Sequence, residues 1–206
     1  MARTAKQRKV VAEESSSALR HVLVVGGTTA EWDALGPDLW AARRSELAKV
    51  VAHAGAMWLT LRPYCARRDQ DPVQREPVQQ DAGSAGAAVW RTERLIDVRE
   101  GCTVIVDPTP DGRSRLLAAT DQLRDLPADA IDEAALAAVL MAPAPIEPDL
   151  TVVLGPTQQL PPSLVWELAY SEIVFTDTMW NDLAAAHVEH AIEAYSRRHR
   201  RFGGIE

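Results

Sequence analysis

The run HVLVV, residues 21–25, is short, apolar and rich in β-branched valine, and it ends on Gly26 and Gly27. Such a run reads as a buried strand stopped by a turn. A helical stretch follows. Residues 38–55, DLWAARRSELAKVVAHAG, set Leu39, Ala42, Leu47, Val50 and Val51 at roughly helical spacing, and Gly55 suits the C-cap. Residues 56–64, AMWLTLRPY, read as a second strand. Strands joined by a helix pair in parallel through a right-handed crossover. This βαβ unit commits the chain to an α/β fold, with a central, mainly parallel sheet flanked by helices.

The chain has 206 residues, which suits one domain with a real core. Residues 1–17 are polar, charged and free of aromatics, and read as a disordered tail. Residues 18–206 then form the domain. Within it, 65–88 mixes Gln, Asp, Pro, Ala and Gly without hydrophobic period and reads as a long loop or disordered insert. Strand character returns at 89–98 and at 102–108, CTVIVDP. Residues 112–126 and 129–141 read as helices, the second with Asp129 or Asp132 as N-cap. A proline-stiffened connector leads to another buried strand, LTVVLG, at 150–155. Next, Leu164, Val165 and Leu168 share a helical face before EIVFTD turns strand-like. The last helix carries Val188, Ala191, Ile192 and Tyr195 as its apolar stripe, closed by Gly203 and Gly204.

Charge and composition exclude several functions. The formal net charge of -7 argues against a general nucleic-acid binder. Cys65 and Cys102 make neither a disulfide framework nor a C-x-x-C site, which suits a reducing cytoplasm. No apolar run approaches the ~18 residues of a membrane span, and the basic start (Arg3, Lys6, Arg8, Lys9) is followed by a stretch too polar for a signal sequence. The expected location is cytoplasmic, with membrane contact at most peripheral, on the inner face. His187 and His190 are three apart on one helix, but no third ligand accompanies them, so no zinc site is expected.

The C-terminal residues are more specific. Trp166, Ala169, Tyr170 and Glu172 are followed by Phe175, Asp177 and Trp180, and then by Arg200, Arg201, Phe202, Gly203 and Gly204. This order closely resembles the C-terminal signature of the cis-prenyltransferases, the undecaprenyl diphosphate synthase family. The resemblance extends weakly over residues 18–206 and implies that family's dimeric fold. It also implies a chemistry: isopentenyl diphosphate added in cis to an allylic diphosphate, with magnesium. Arginines, backbone N–H groups and metal must then hold the diphosphate leaving group.

This sequence departs from the family where that chemistry is done. The family's turn after the first strand reads Met-Asp-Gly-Asn-Gly-Arg-Trp. Counting without a gap to Trp32 puts Gly27 on the aspartate, Thr28, Thr29 and Ala30 on Gly-Asn-Gly, and Glu31 on the arginine. After the late strand, Val153 and Gln159 fall on two arginines, Thr157 on a glutamate and Pro161 on a serine. Neither Val nor Gln replaces a guanidinium fork. The polar stretch 65–88 also lacks the apolar stripe needed to line a tunnel for a growing chain.

The resemblance therefore implies a non-catalytic subunit of the Nogo-B receptor type, with no catalytic residue and no metal of its own. Its partner is a catalytic cis-prenyltransferase subunit, in a heterodimer or heterotetramer, whose site holds the magnesium. Arg201, Phe202, Gly203 and Gly204 would bind the isopentenyl diphosphate of the partner's site in trans, with Arg200 and Glu172 as further candidates. Two alternatives stay open. One is a diverged, active short-chain synthase using Glu31 or Asp33 as its metal carboxylate. The other is a structural or regulatory homodimer. Thr28 and Thr29 stand where an anion cradle would be, but Glu31 and Asp33 oppose it.

Overall fold

In a computed structural model, which describes residues 18–64, 94–155 and 160–202 but not the side chains of 199–202, all five residues of β1 (His21–Val25) are buried. They are buried because β1 lies in the middle of a six-stranded sheet. β1 pairs in parallel with β2 (Trp58–Arg62) on one side and with β5 (Leu150–Leu154) on the other. Beyond β2 lies β4 (Cys102–Val106), also parallel, and then β3 (Leu95–Arg99), antiparallel to β4. Beyond β5 lies the parallel edge strand β6 (Glu172–Thr176). The order is β3-β4-β2-β1-β5-β6. The α/β class and the mainly parallel sheet read from the sequence are both present.

Between β1 and β2 run α1 (Thr29–Ala34) and α2 (Pro37–His53). α2 starts at a proline in its first turn, where the missing N–H costs nothing. The C-cap is Ala54 rather than Gly55, which follows it at φ 91° and takes the left-handed turn out of the helix. The buried stripe of α2 differs from the expectation. It is Trp40, Leu47, Ala48, Val50 and Val51, while Leu39 is 63% exposed and Ala42 is also exposed. Trp40 displaces Leu39 because its indole N–H reaches Trp32 O at 2.9 Å and its ring meets those of Trp32 and Trp180.

α3 (Gly112–Leu123) and α4 (Glu133–Met141) follow β4, and α5 (Ala185–Phe202) ends the described chain. Asp132, not Asp129, caps α4 by accepting from Ala135 N at 2.8 Å. Residues 164–168 form no α-helix; only a short 3-10 turn covers Glu167–Ala169. Leu164 is buried there, whereas Val165 and Leu168 are exposed and Glu167 is fully buried. The expected apolar face fails because two arginines pull the glutamate inward, as described below.

The two faces of the sheet differ. Behind it, β-strand residues such as Val22, Val24, Leu59, Leu61 and Val104 form one large core with Trp32, Leu47 and Val51, and with Val188, Ala191, Ile192 and Tyr195 of α5. The α5 stripe read from the sequence is thus fully used. The front is less apolar. Leu23, Val25, Val153 and Leu164 make a small cluster, but His21, Thr60, Arg62 and Thr151 are buried beside it. Parallel sheets normally carry apolar residues on both faces, so this polar front marks where the fold has been specialised.

Candidate functional site

In open α/β sheets ligands bind outside the carboxyl ends of the strands. At the end of β1 the chain turns through Gly26 and Gly27. Gly27 has φ 72°, a left-handed conformation that favours glycine. A Cβ there would lie 2.6 Å from Trp180 Cγ, and one at Gly26 would lie 2.5 Å from Leu154 Cδ1. Trp180 does not yield easily. Its ring stacks on Trp32 at 5.1 Å, and Arg43 lies over it at 4.9 Å while donating to Trp180 O at 2.6 Å. The position where the family carries aspartate is therefore closed by packing as well as emptied of charge.

The polar groups of the turn are turned inward. Trp32 Nε1 donates to Gly26 O at 2.9 Å, Gly26 N to Arg62 O at 3.0 Å, and Tyr64 N to Gly27 O at 2.6 Å. Thr28 and Glu31 form a capping box: Glu31 N donates to Thr28 Oγ1 at 3.1 Å and Thr28 N to Glu31 Oε2 at 2.8 Å. The capping box spends the Thr28 N–H that would face a phosphate on a carboxylate of the same chain. The Glu31 carboxylate is thereby committed to the cap.

Val153 lies in the middle of the sheet, 2% exposed, packed with Leu23, Val25 and Leu164. An arginine fork at that position would need space that the cluster fills. Gln159 and Thr157 lie outside the described residues, as do 65–88, the 1–17 tail, Gly203 and Gly204. Arg200, Arg201 and Phe202 fall in the last turn of α5. Glu172 opens β6 and accepts from Arg198 Nη1 at 2.9 Å; the same nitrogen also donates to Ile173 O at 3.2 Å. The glutamate thus fixes α5, which carries the arginines, against the sheet edge. His187 Nδ1 accepts from Ala184 N at the start of α5.

The ends of β2 and β4 hold charges that sequence reasoning missed. Glu167 Oε1 accepts from Arg62 Nη1 at 2.7 Å and from Arg115 Nη1 at 2.9 Å. Asp107 Oδ2 faces Arg62 Nε at 3.4 Å, Arg115 Nε at 3.2 Å and Arg94 Nη2 at 3.5 Å. Exposure is 2% for Arg62 and Asp107, 6% for Arg115 and 0% for Glu167. Burial by itself would raise both carboxyls. The guanidiniums of Arg62 and Arg115 outweigh it and hold both below the usual carboxylate range, helped at Glu167 by direct hydrogen bonds. The signal was present in the sequence as single charges at the ends of apolar strands, LTLR and VIVD. This crevice, where a ligand would enter such a sheet, is filled by the protein's own ions.

The comparisons agree with this architecture. A prenyltransferase family model, that of the undecaprenyl diphosphate synthases, matches residues 88–203. This chain belongs to the undecaprenyl diphosphate synthase family. It is 36% identical over 107 residues to an isoprenyl transferase of Ralstonia nicotianae, covering 50% of this chain and 42% of that protein. It is 49% identical over 59 residues to an isoprenyl transferase of Streptococcus pneumoniae, covering 29% of this chain and 23% of that one. The matches thus span less than half the length of these relatives. A probable undecaprenyl diphosphate synthase from Campylobacter jejuni superposes with TM-score 0.53 at 17% identity, over 90% of this chain and 99% of that chain. Lavandulyl diphosphate synthase from Lavandula x intermedia, in complex with dimethylallyl diphosphate, also gives 0.53 at 17% identity, over 88% and 96% of the two chains. At that identity the likeness is one of fold. Among the described residues, no helix is long and apolar enough to cross a membrane.

Proposed function

We propose that this chain is a non-catalytic subunit of a heteromeric cis-prenyltransferase that makes isoprenoid diphosphates from isopentenyl diphosphate. The opening turn carries this reading: Gly27 stands left-handed against Trp180, and Glu31 caps the turn's own N–H, so neither metal nor diphosphate finds a receptor there. The chain's contribution is its C-terminal tail, with Arg201, Phe202, Gly203 and Gly204 at a catalytic partner's diphosphate and Arg200 beside them. A guanidinium supplies a permanent bidentate cation, and glycine lets backbone N–H groups approach. Magnesium belongs to the partner's site. The Glu172–Arg198 pair supports the reading, because it holds the tail helix in a fixed direction. So does the apolar surface around the β6 edge, where Val165, Leu168, Tyr170, Phe175 and Met179 are each at least 36% exposed. A partner that covers this edge brings its site within reach of α5.

The test is prenyl transfer by the purified chain alone, by a catalytic homologue alone, and by the mixture. The mixture is expected to exceed the sum of the two, and Arg201→Ala in this chain is expected to remove the excess. Magnesium-dependent turnover by the isolated chain would instead make it a diverged short-chain synthase. A mixture no better than its parts would leave a structural homodimer.

A further inference from the structure

Among the described residues the charged network is not neutral. Three guanidiniums, those of Arg62, Arg94 and Arg115, meet two carboxylates, those of Asp107 and Glu167. One positive charge is left over. It lies toward Arg94, whose Nη1 donates to Ala142 O and whose side chain is still 30% exposed, where Arg62 and Arg115 are buried. Arg94 and Arg115 open onto a shallow cleft of about 140 Å³ between α3, α4 and the segment after β4. The other polar residues lining it, Thr109, Ser114 and Gln122, are uncharged and carry hydrogen-bond donors, above a floor of alanine and aliphatic carbons from α3 and α4. Among the described residues no carboxylate lines the cleft. Asp111, beside the cleft, accepts from Arg113 N at 2.8 Å and from Ser114 Oγ at 3.4 Å. A half-open cleft with surplus positive charge and donor-bearing walls suits an anion, and two guanidiniums suit an oxyanion that takes paired N–H donors.

We propose that this cleft binds a phosphate-class oxyanion, with Arg94 as its principal contact, Arg115 as the buried cation behind it, and Thr109 as a hydroxyl donor. The site is separate from the opening turn, which leaves β1 with β2 between it and β4. It does not depend on the subunit reading above. The β2–β4 crevice is sealed by the same network that charges this cleft, so the guanidiniums serve an anion on the outer side only.

The probe is inorganic phosphate, titrated calorimetrically into the full chain, with sodium chloride at matched ionic strength as reference. Phosphate is expected to give saturable heat and to raise the Tm beyond the chloride control. Arg94→Gln, a peripheral change, is expected to weaken binding about tenfold, the usual effect of losing one charge-assisted contact. Thr109→Val is expected to weaken it less while leaving the ligand-free Tm in place. Arg124→Gln, at an exposed arginine outside the cleft lining, is expected to leave phosphate affinity unchanged. No response beyond chloride, full affinity in Arg94→Gln, or loss of affinity in Arg124→Gln would each overturn the assignment.

Discussion

Restoring the family's aspartate at Gly27 is the change that a reader of the sequence would try first, and the structure predicts that it fails. Any side chain at Gly27 must occupy φ 72°, which costs an L-residue roughly 1–2 kcal/mol. Its Cβ also meets Trp180 Cγ at 2.6 Å, Cβ at 2.8 Å and Cδ1 at 3.0 Å. Trp180 is 1% exposed and hemmed in by Trp32, Trp40 and Arg43, so relief by movement adds an overpacking cost of roughly 1–3 kcal/mol. The sum is about 2–5 kcal/mol, a large part of the ~5–15 kcal/mol that stabilises an ordinary domain. With a urea m-value of ~1–3 kcal/mol/M, the midpoint should fall by roughly 1 M or more. Gly27→Ala should show most of the loss, because backbone and Cβ cause it. Gly27→Asp should be no more active than the parent. A Gly27→Ala midpoint equal to wild type, or prenyl transfer gained by Gly27→Asp, would refute the claim that packing closes the turn.

Three further outcomes are expected. His21 is buried between Ile146 O and Thr60 Oγ1, and burial lowers its pKa from 6.5 to about 4. The unfolded chain then binds more protons than the folded one below pH 6.5, so stability is complete above that pH and falls below it. Between pH 7 and 5 this group alone removes about 2 kcal/mol, and urea midpoints across that range should show a slope that His21→Gln flattens. Glu167→Gln leaves Arg62 and Arg115 facing a neutral amide in a dry site, and should cost roughly 3–5 kcal/mol by chemical denaturation. Glu172→Gln breaks only a part-exposed pair with Arg198, and should change stability by less than ~1 kcal/mol while lowering the partner's stimulated rate in the mixed assay.

The strands were legible because burial on both faces of a parallel sheet writes valine-rich runs into the sequence, and HVLVV, TVIV and LTVVL are such runs. The stripe of α5 was legible for the matching reason: its outer face is charged, so period and polarity agree. Periodicity misread the first turns of α2, at Leu39 and Ala42, because a tryptophan with an indole N–H partner outcompeted a leucine. It misread 164–168 because it assumes that charged residues face water, and Glu167 does the opposite. That reversal depends on Arg62 and Arg115, 105 and 52 positions away in the chain, which no local window contains. The empty charges of the opening turn were visible as residue types, but Trp180 above Gly27 was not.

The buried quartet bears on how the front of the sheet is held together. A buried ion network rarely stabilises more than well-packed apolar side chains would, so stability alone does not account for four charges at the ends of β2 and β4. What the quartet does accomplish is geometric. Arg62 comes from β2, Asp107 from the end of β4, Arg115 from α3 and Glu167 from the segment before β6, so four separate parts of the chain converge on one point. A crevice that must admit an apolar prenyl chain cannot carry fixed charges across its mouth, because each would have to be desolvated against hydrocarbon. Here the cross-links hold the segment preceding β6 in place. That segment carries Val165, Leu168 and Tyr170 to the surface, so closing the crevice and fixing the apolar edge are two effects of the same ion pairs.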